Sequence, residues 1–107
     1  MNNKLIAEFL GWTLDSQELN SYRKKTGTKF IYKKFDFENN WNDLIEAVEK
    51  IEHIDSIDVN ILTNGTRIYE WRTGGEVIVD NSADISFEHK IEHVYDAVVK
   101  FINWYNN

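Results

Sequence analysis

The spacing of apolar residues along the chain predicts three helices. Apolar side chains recur three or four positions apart near the start, in the middle and at the end of the sequence, which is the period of a helix with one buried face. Asn2 or Asn3 can cap the first helix and Gly11 can end it. Asn40 is the expected N-cap of the second helix, and Ser86 is the expected N-cap of the third.

Three alternating runs in the second half of the chain predict an antiparallel meander. An Asn-Gly pair separates the first two runs and a Gly-Gly pair separates the last two, and such pairs are hairpin signals. The predicted strands cover residues 57–63, 66–72 and 76–80, with turns at Asn64-Gly65 and Gly74-Gly75. A further strand is expected in the aromatic, β-branched run KFIYKKFDF, residues 29–37. Residues 12–28 show no sustained period and predict a connection with a hairpin turn at KKTGT.

These elements follow the order αβαβββα and predict an α+β domain. A chain of 107 residues has the size of one domain with one core. We expect an antiparallel sheet, formed by the three-strand meander plus one further strand, to pack against the three helices. Because each helix has an apolar stripe and both parities of residues 66–72 include apolar side chains, we predict helices on both faces, in a helix/sheet/helix sandwich.

Composition narrows the chemistry that this chain can perform. The sequence has no cysteine, which excludes disulfides, thiolate nucleophiles and zinc-thiolate sites. It also has no nucleophile-elbow serine, no Walker loop and no G-x-G-x-x-G run, so we expect no enzymatic activity, no catalytic residue and no cofactor. The N-terminus lacks a signal-peptide pattern, and no run reaches the roughly 18 apolar residues of a membrane span. We therefore expect a cytoplasmic protein that does not bind a membrane.

Half of the basic residues are concentrated in one stretch of an acidic chain. The formal net charge is −6, and YRKKTGTKFIYKKF, residues 22–35, holds six of the twelve Lys and Arg and no acid, so the rest of the chain carries −12. The six bases are Arg23, Lys24, Lys25, Lys29, Lys33 and Lys34. Because aromatic residues interleave with them, they could dock a partner, including a phosphate backbone. The alternative is a charged edge strand that prevents edge-to-edge pairing.

A cationic and aromatic row on one predicted strand is a second candidate surface. Arg67, Tyr69 and Trp71 share one parity of residues 66–72 and therefore stand on one sheet face. We expect a helix to cover this row, with Arg67 at the rim. An exposed row would instead be able to stack bases or bind a protein loop, and exposure of Trp71 together with Trp104 would favour a dimer.

The segment HKIEH contains the H-x-x-E-H pattern of inverted zinc peptidases. His89 and His93 lie four residues apart on the predicted third helix and would face the same way, with Glu92 between them. A catalytic zinc ion needs a third protein ligand, and the pattern shares its helix with an intact apolar stripe. We therefore expect a histidine pair on the helix surface and no metal site.

Three segments resemble a family of small uncharacterised proteins of bacteriophages and prophages, the phage ABA-sandwich-like proteins. The segments are NNKLIAEFLGW at the start, NNWNDLIEAVEKIE in the middle and KIEHVYDAVVKFINWYNN at the end. The resemblance implies a compact sandwich and a phage or mobile-element origin, and it brings no catalytic residue with it. This chain departs from the family pattern at Asn40 and Asn42, where the family often has Ser and Asp, and at His93, where it often has Ala.

Small size, an acidic body and the lack of a catalytic pattern together lead to a functional hypothesis. We predict a non-catalytic, phage-encoded accessory protein that binds and modulates a host protein, such as an anti-defence inhibitor of the anti-CRISPR kind. The alternative is a nucleic-acid or nucleotide-binding module that uses residues 22–35 and the row of Arg67, Tyr69 and Trp71. Because residues 22–35 lie outside the three resembling segments, we expect the partner to be contacted there.

Overall fold

The fold combines helices with two antiparallel sheets, which confirms the predicted α+β class. The computed structural model describes residues 2–15, 21–72, 74–84 and 86–107. In chain order the described elements are α1 (Asn3–Phe9), β1 (Thr13–Leu14), β2 (Ser21–Thr26), β3 (Lys29–Lys34), α2 (Trp41–Glu52), β4 (Ile57–Ile61), β5 (Thr66–Glu70), β6 (Glu76–Asp80) and α3 (Lys90–Tyr105). Within these residues, no helix is long and apolar enough to cross a membrane.

The strands form two separate three-stranded sheets rather than one four-stranded sheet. Strands β1, β2 and β3 pair in that order to form the N-terminal sheet, and β4, β5 and β6 form the C-terminal sheet. The predicted order αβαβββα therefore lacked β1 and β2, which lie in the stretch predicted as a connection. The run after Lys34 leaves the sheet because Phe35 and Phe37 both enter the core, where their rings stack 4.8 Å apart.

The two long helices begin at polar caps, of which one was predicted correctly. The Asn40 side chain accepts hydrogen bonds from the backbone N–H groups of Asn42 and Asp43, as expected for the N-cap of α2. The third helix begins later than expected, after His89, whose backbone N–H donates to the Glu92 carboxylate at 2.9 Å. Ser86 was the wrong cap, because its hydroxyl donates to Asp84 at 2.7 Å instead.

Helices α2 and α3 pack on the same face of the C-terminal sheet. Helix α2 contacts β4, α3 contacts β5 and β6, and α1 packs against α3. The sheet supplies Ile57, Ile68 and Val79 to the core between them. The opposite face carries the exposed side chains of Asp58, Asn60, Arg67, Trp71 and Val77. The predicted sandwich is therefore confirmed only as far as helices packing on a sheet, since no described helix covers this second face.

The Asn64-Gly65 pair makes a wider connection than the predicted tight turn. Ile61 pairs with Thr66, so four residues separate the strands, and the Leu62 N–H donates to the Gly65 carbonyl at 2.8 Å. Neither residue of the pair has a positive φ. Glycine is needed at position 65 because a Cβ there would lie 2.3 Å from Ser82 Cα. The sequence signal was thus correct for a turn, but the physical reason for the glycine is a close backbone approach.

A buried polar cluster joins the C-terminal sheet to α3. The Asn81 side chain accepts from the Thr66 N–H at 2.7 Å and donates to the His93 carbonyl at 2.8 Å and to Asp96 Oδ2 at 2.9 Å. Thr66 Oγ1 and His93 Nδ1 share a further hydrogen bond at 2.8 Å. Because Thr66, Asn81 and His93 are all buried, their polar groups depend on one another for hydrogen-bond partners.

Replacement of Asn81 by alanine should destabilise the fold. The Thr66 N–H would remain buried without its acceptor, so we expect the free energy of unfolding to fall by about 2 kcal/mol. Urea denaturation followed by circular dichroism measures this change. Asn103→Ala, on the exposed face of α3, is the matched control and should stay within about 0.5 kcal/mol of wild type. Equal losses in the two variants would contradict the assigned role of Asn81.

Candidate functional site

The six clustered bases lie on the β2–β3 hairpin, residues 21–34. Thr26 pairs with Lys29, so the turn contains two residues, and the predicted turn at KKTGT is confirmed. Gly27 has a φ of +66° while Thr28 keeps a negative φ. A two-residue loop with glycine first and a positive φ only there is a type II′ turn, whose twist matches that of the flanking strands.

Only the base of the hairpin belongs to the core. Ser21 and Tyr22 are buried, and the Tyr22 ring lies 5.8 Å from that of Phe35. Burial raises the pKa of Tyr22, and the nearby carboxylate of Glu8 raises it further. Every residue from 23 to 32 is exposed. The hairpin is therefore anchored at one end and surrounded by solvent over the rest of its length.

Strand register divides the hairpin side chains between two faces. Residues directly opposite each other share a face, and Arg23 pairs with Tyr32 while Lys25 pairs with Phe30. The aromatic face consists of Arg23, Lys25, Phe30, Tyr32 and Lys34. The lysine face consists of the buried Tyr22 at the base of the hairpin and then Lys24, Thr26, Lys29, Ile31 and Lys33.

The two faces differ in how much the body of the protein occupies them. On the lysine face, Lys24 Nζ lies 5.4 Å from the centre of a Trp12 ring, and Lys33 Nζ lies 3.2 Å from Glu46 Oε1. On the aromatic face, Phe30 and Tyr32 are 49% and 60% exposed, and the Arg23 guanidinium lies 5.4 Å from the Phe30 ring centre. Large aromatic side chains with this exposure are available to a partner.

No described helix covers the row of Arg67, Tyr69 and Trp71, so the expectation of a covering helix was wrong. Arg67 and Trp71 are exposed and Tyr69 is partly buried. Both long helices pack on the other face of the C-terminal sheet, and α1 packs on α3. Within the row, Arg67 Nε lies 3.2 Å from Asp80 Oδ2, and Trp71 is 54% exposed. Hydrogen bonds from Ser82, and then the Arg67 charge, lower the pKa of Asp80. The ion pair with Asp80 partly occupies Arg67, as the ion pair with Glu46 partly occupies Lys33 on the hairpin.

The two histidines of HKIEH do not form a pair on the helix surface. His89 is exposed and precedes α3, whereas His93 is 2% exposed and its Nδ1 bonds to Thr66. The expected surface pair was therefore wrong, because His93 lies on the buried stripe of the helix. Among the described residues, no group of three or more His, Cys, Asp or Glu is arranged to hold a metal ion.

Sequence reasoning missed a cleft of about 510 Å³ beside α3. Its walls include Glu38, Phe87, Glu92, Tyr95 and Asp96. The Tyr95 hydroxyl donates to Glu38 at 3.4 Å. Partial burial, followed by the Glu38 charge, raises the pKa of Tyr95 to about 12.

The carboxylates of this cleft already have partners within the protein. Glu92 accepts from the His89 N–H, and Asp96 accepts from Asn81 and pairs with Lys100 at 2.9 Å. These contacts hold α3 and the buried polar cluster in place. The residues that line the cleft come from distant parts of the chain, so no local sequence motif predicts the cleft.

The pKa of Tyr95 predicts how stability changes at high pH. The folded state holds the phenolic proton up to about pH 12, whereas the unfolded chain loses it near pH 10. This contribution to stability is therefore complete below pH 10 and is lost as the pH rises toward 12. Wild type should lose more stability over this interval than Tyr95→Phe, as measured by urea denaturation. Tyr32→Phe, on the exposed hairpin, is the control and should follow wild type; a Tyr95→Phe curve parallel to wild type would refute the prediction.

Comparisons of the chain with protein-family models, with curated proteins and with solved structures find no match. The resemblance to phage ABA-sandwich-like proteins therefore stays a prediction. The candidate functional surface rests on the β2–β3 hairpin itself.

Proposed function

We propose that this chain is a non-catalytic accessory protein that binds and modulates a partner protein through the β2–β3 hairpin. The observation that carries the proposal is the exposure of three consecutive apolar residues, Phe30, Ile31 and Tyr32, among six bases. Exposed apolar side chains next to Arg and Lys are typical of interface anchors. An edge strand whose only role was solubility would not be expected to expose these three apolar side chains.

The charge distribution favours a protein partner over a nucleic acid. Outside residues 22–35 the chain carries a formal charge of −12, which repels a phosphate backbone near the body. A protein with an acidic groove inside a basic surface would complement both the hairpin and the body. Proteins that bind nucleic acids have such basic surfaces. The acidic body of this chain could occupy such a surface in place of the nucleic acid.

A phage origin and an anti-defence role extend this proposal. They are supported by the three segments that resemble phage ABA-sandwich-like proteins, and by an acidic body suited to occupy the nucleic-acid channel of a host nuclease. The host protein would be bound in a stoichiometric complex in the bacterial cytoplasm, and no catalytic step by this chain is needed. An inhibitor of the anti-CRISPR kind fits this description.

Binding of single-stranded nucleic acid is the second candidate function. It is favoured by the aromatic face, where Phe30 and Tyr32 lie beside Arg23 and Lys25. The aromatic rings can stack on nucleobases while the neighbouring Arg and Lys side chains contact phosphates. Such binding would weaken steeply as the salt concentration rises.

Loss of two charges at the hairpin tip should weaken partner binding. The tagged variant Lys25→Gln/Lys29→Gln is compared with Lys4→Gln/Lys90→Gln, which removes two exposed charges elsewhere. We expect wild type and the control to retain a bacterial protein from nuclease-treated lysate, and the hairpin variant to retain about tenfold less. The retained protein is then tested for inhibition by the purified chain.

Two outcomes would contradict this proposal. Equal retention by the two variants would show that the hairpin is not the contact. Material retained only when nuclease is omitted would instead favour the nucleic-acid function.

A further inference from the structure

The outer edge of β3 is open to another strand. In the N-terminal sheet the order is β1, β2, β3, and among the described residues no strand pairs with the other edge of β3. In an antiparallel ladder every second residue of an edge strand directs its N–H and C=O away from its neighbour. These unpaired groups can hydrogen-bond an extended segment of another protein.

We propose that β3 binds an extended segment of the partner as a fourth strand, and that this segment alternates acidic and apolar residues. The inference rests on the proposed function and specifies the chemistry of the partner. Strand addition uses backbone hydrogen bonds for affinity and alternate side chains for specificity. The side chains on the two faces of β3 therefore define which side chains the partner strand must have on each of its faces.

The side chains of β3 select the alternating pattern. On the lysine face, Lys29 and Lys33 flank Ile31. A carboxylate on the adjacent strand would meet the exposed Lys29 ammonium directly and would share Lys33 with Glu46, which already pairs with it. On the aromatic face, Phe30 and Tyr32 offer exposed rings to apolar residues of the same strand. One parity of the partner strand is thus acidic and the other apolar.

Simple protection of a sheet edge does not account for β3. Lysines on an edge strand discourage pairing with other chains, and Lys29, Lys33 and Lys34 fit that role. However, Phe30, Ile31 and Tyr32 between them are 49%, 47% and 60% exposed. These lysines repel most strands while selecting one with complementary carboxylates, which combines affinity with specificity.

The acidic edge strand of a second copy fits β3 poorly. Strand β6, Glu76–Asp80, has a carboxylate at each end, but a bulge lies opposite Ile68 and Tyr69. As a result Glu76 pairs with Glu70 while Asp80 pairs with Arg67, so the two carboxylates lie on opposite faces of the sheet. They cannot both meet the lysine face of β3. Strand β6 of a second copy is therefore a poorer occupant than a strand of another protein whose carboxylates all lie on one face.

A synthetic peptide tests the inference with the full chain. The probe is a fluorescein-labelled Glu-Val-Glu-Val-Glu-Val-Glu peptide with blocked ends, and its binding is followed by fluorescence anisotropy. Two further peptides carry backbone N-methyl groups on the glutamates or on the valines. Because an added strand donates only every second N–H to its neighbour, one methylated peptide should bind at least about tenfold more weakly than the other.

Variants of the chain test the register of side chains. Lys29→Glu/Lys33→Gln should weaken binding of the unmethylated peptide by about tenfold or more, and Lys4→Glu/Lys90→Gln, the matched change elsewhere, should leave it within about twofold. Urea denaturation of each variant checks that the fold is intact. Lys4, Lys29 and Lys90 are exposed, whereas Lys33 is half-buried and pairs with Glu46. Because this ion pair lies at the surface, its loss should lower the midpoint of urea denaturation only slightly.

Several results would overturn the inference. Equal binding of both methylated peptides would show attraction by charge alone, and absence of peptide binding would exclude this class of partner. Tighter binding of a single-stranded oligonucleotide of equal charge would assign the hairpin to nucleic acid. Self-association of the chain that Glu76→Lys abolishes would make a second copy the occupant. In the first two cases, retention of a partner in the lysate experiment would still support the proposed function, so the two failures are distinguishable.

Discussion

The hydrogen bonds of the Asn81 side chain hold the C-terminal sheet against α3. The amide accepts from the Thr66 N–H and donates to the His93 carbonyl and Asp96. An amide can join a sheet and a helix in this way because it offers both an acceptor and donors. The contacts fix how β5 lies on α3, and the core that includes Ile68 closes around this arrangement.

With α2 and α3 on one face of the C-terminal sheet, no described helix is left for the other face. Helix α1 packs on α3 instead. The sheet therefore leaves Arg67 and Trp71 exposed, and the ion pair with Asp80 satisfies the Arg67 guanidinium. Antiparallel sheets tolerate one solvated face. The face is thus a structural consequence of helix placement, and it exposes Trp71 at 54% just as the hairpin exposes Phe30 and Tyr32.

The residues that stabilise the fold are separate from those of the proposed recognition surface. Tyr22 and Phe35 anchor the hairpin in the core, whereas the residues between them contribute charge and exposed rings. Substitutions toward the tip can therefore change binding without changing the core. The same separation holds for charge, because the bases of the hairpin stand apart from an acidic body. A partner of the proposed kind would complement both parts, which would make its recognition more selective than attraction to either part alone.

The sequence by itself determined the α+β class, the helix at Trp41–Glu52 with its Asn40 cap, the turn at KKTGT and the clustering of bases, because periodicity, capping and turn chemistry act over a few neighbouring residues. It did not reveal β1 and β2, since β1 has only two residues, both exposed, and β2 buries only Ser21 and Tyr22, which is too few to give a periodic pattern. The tertiary structure alone decided that His93 is buried, that Arg67 and Trp71 are exposed and that a cleft forms beside Tyr95. Each of these depends on which distant segment packs against a residue, and local sequence patterns contain no such information.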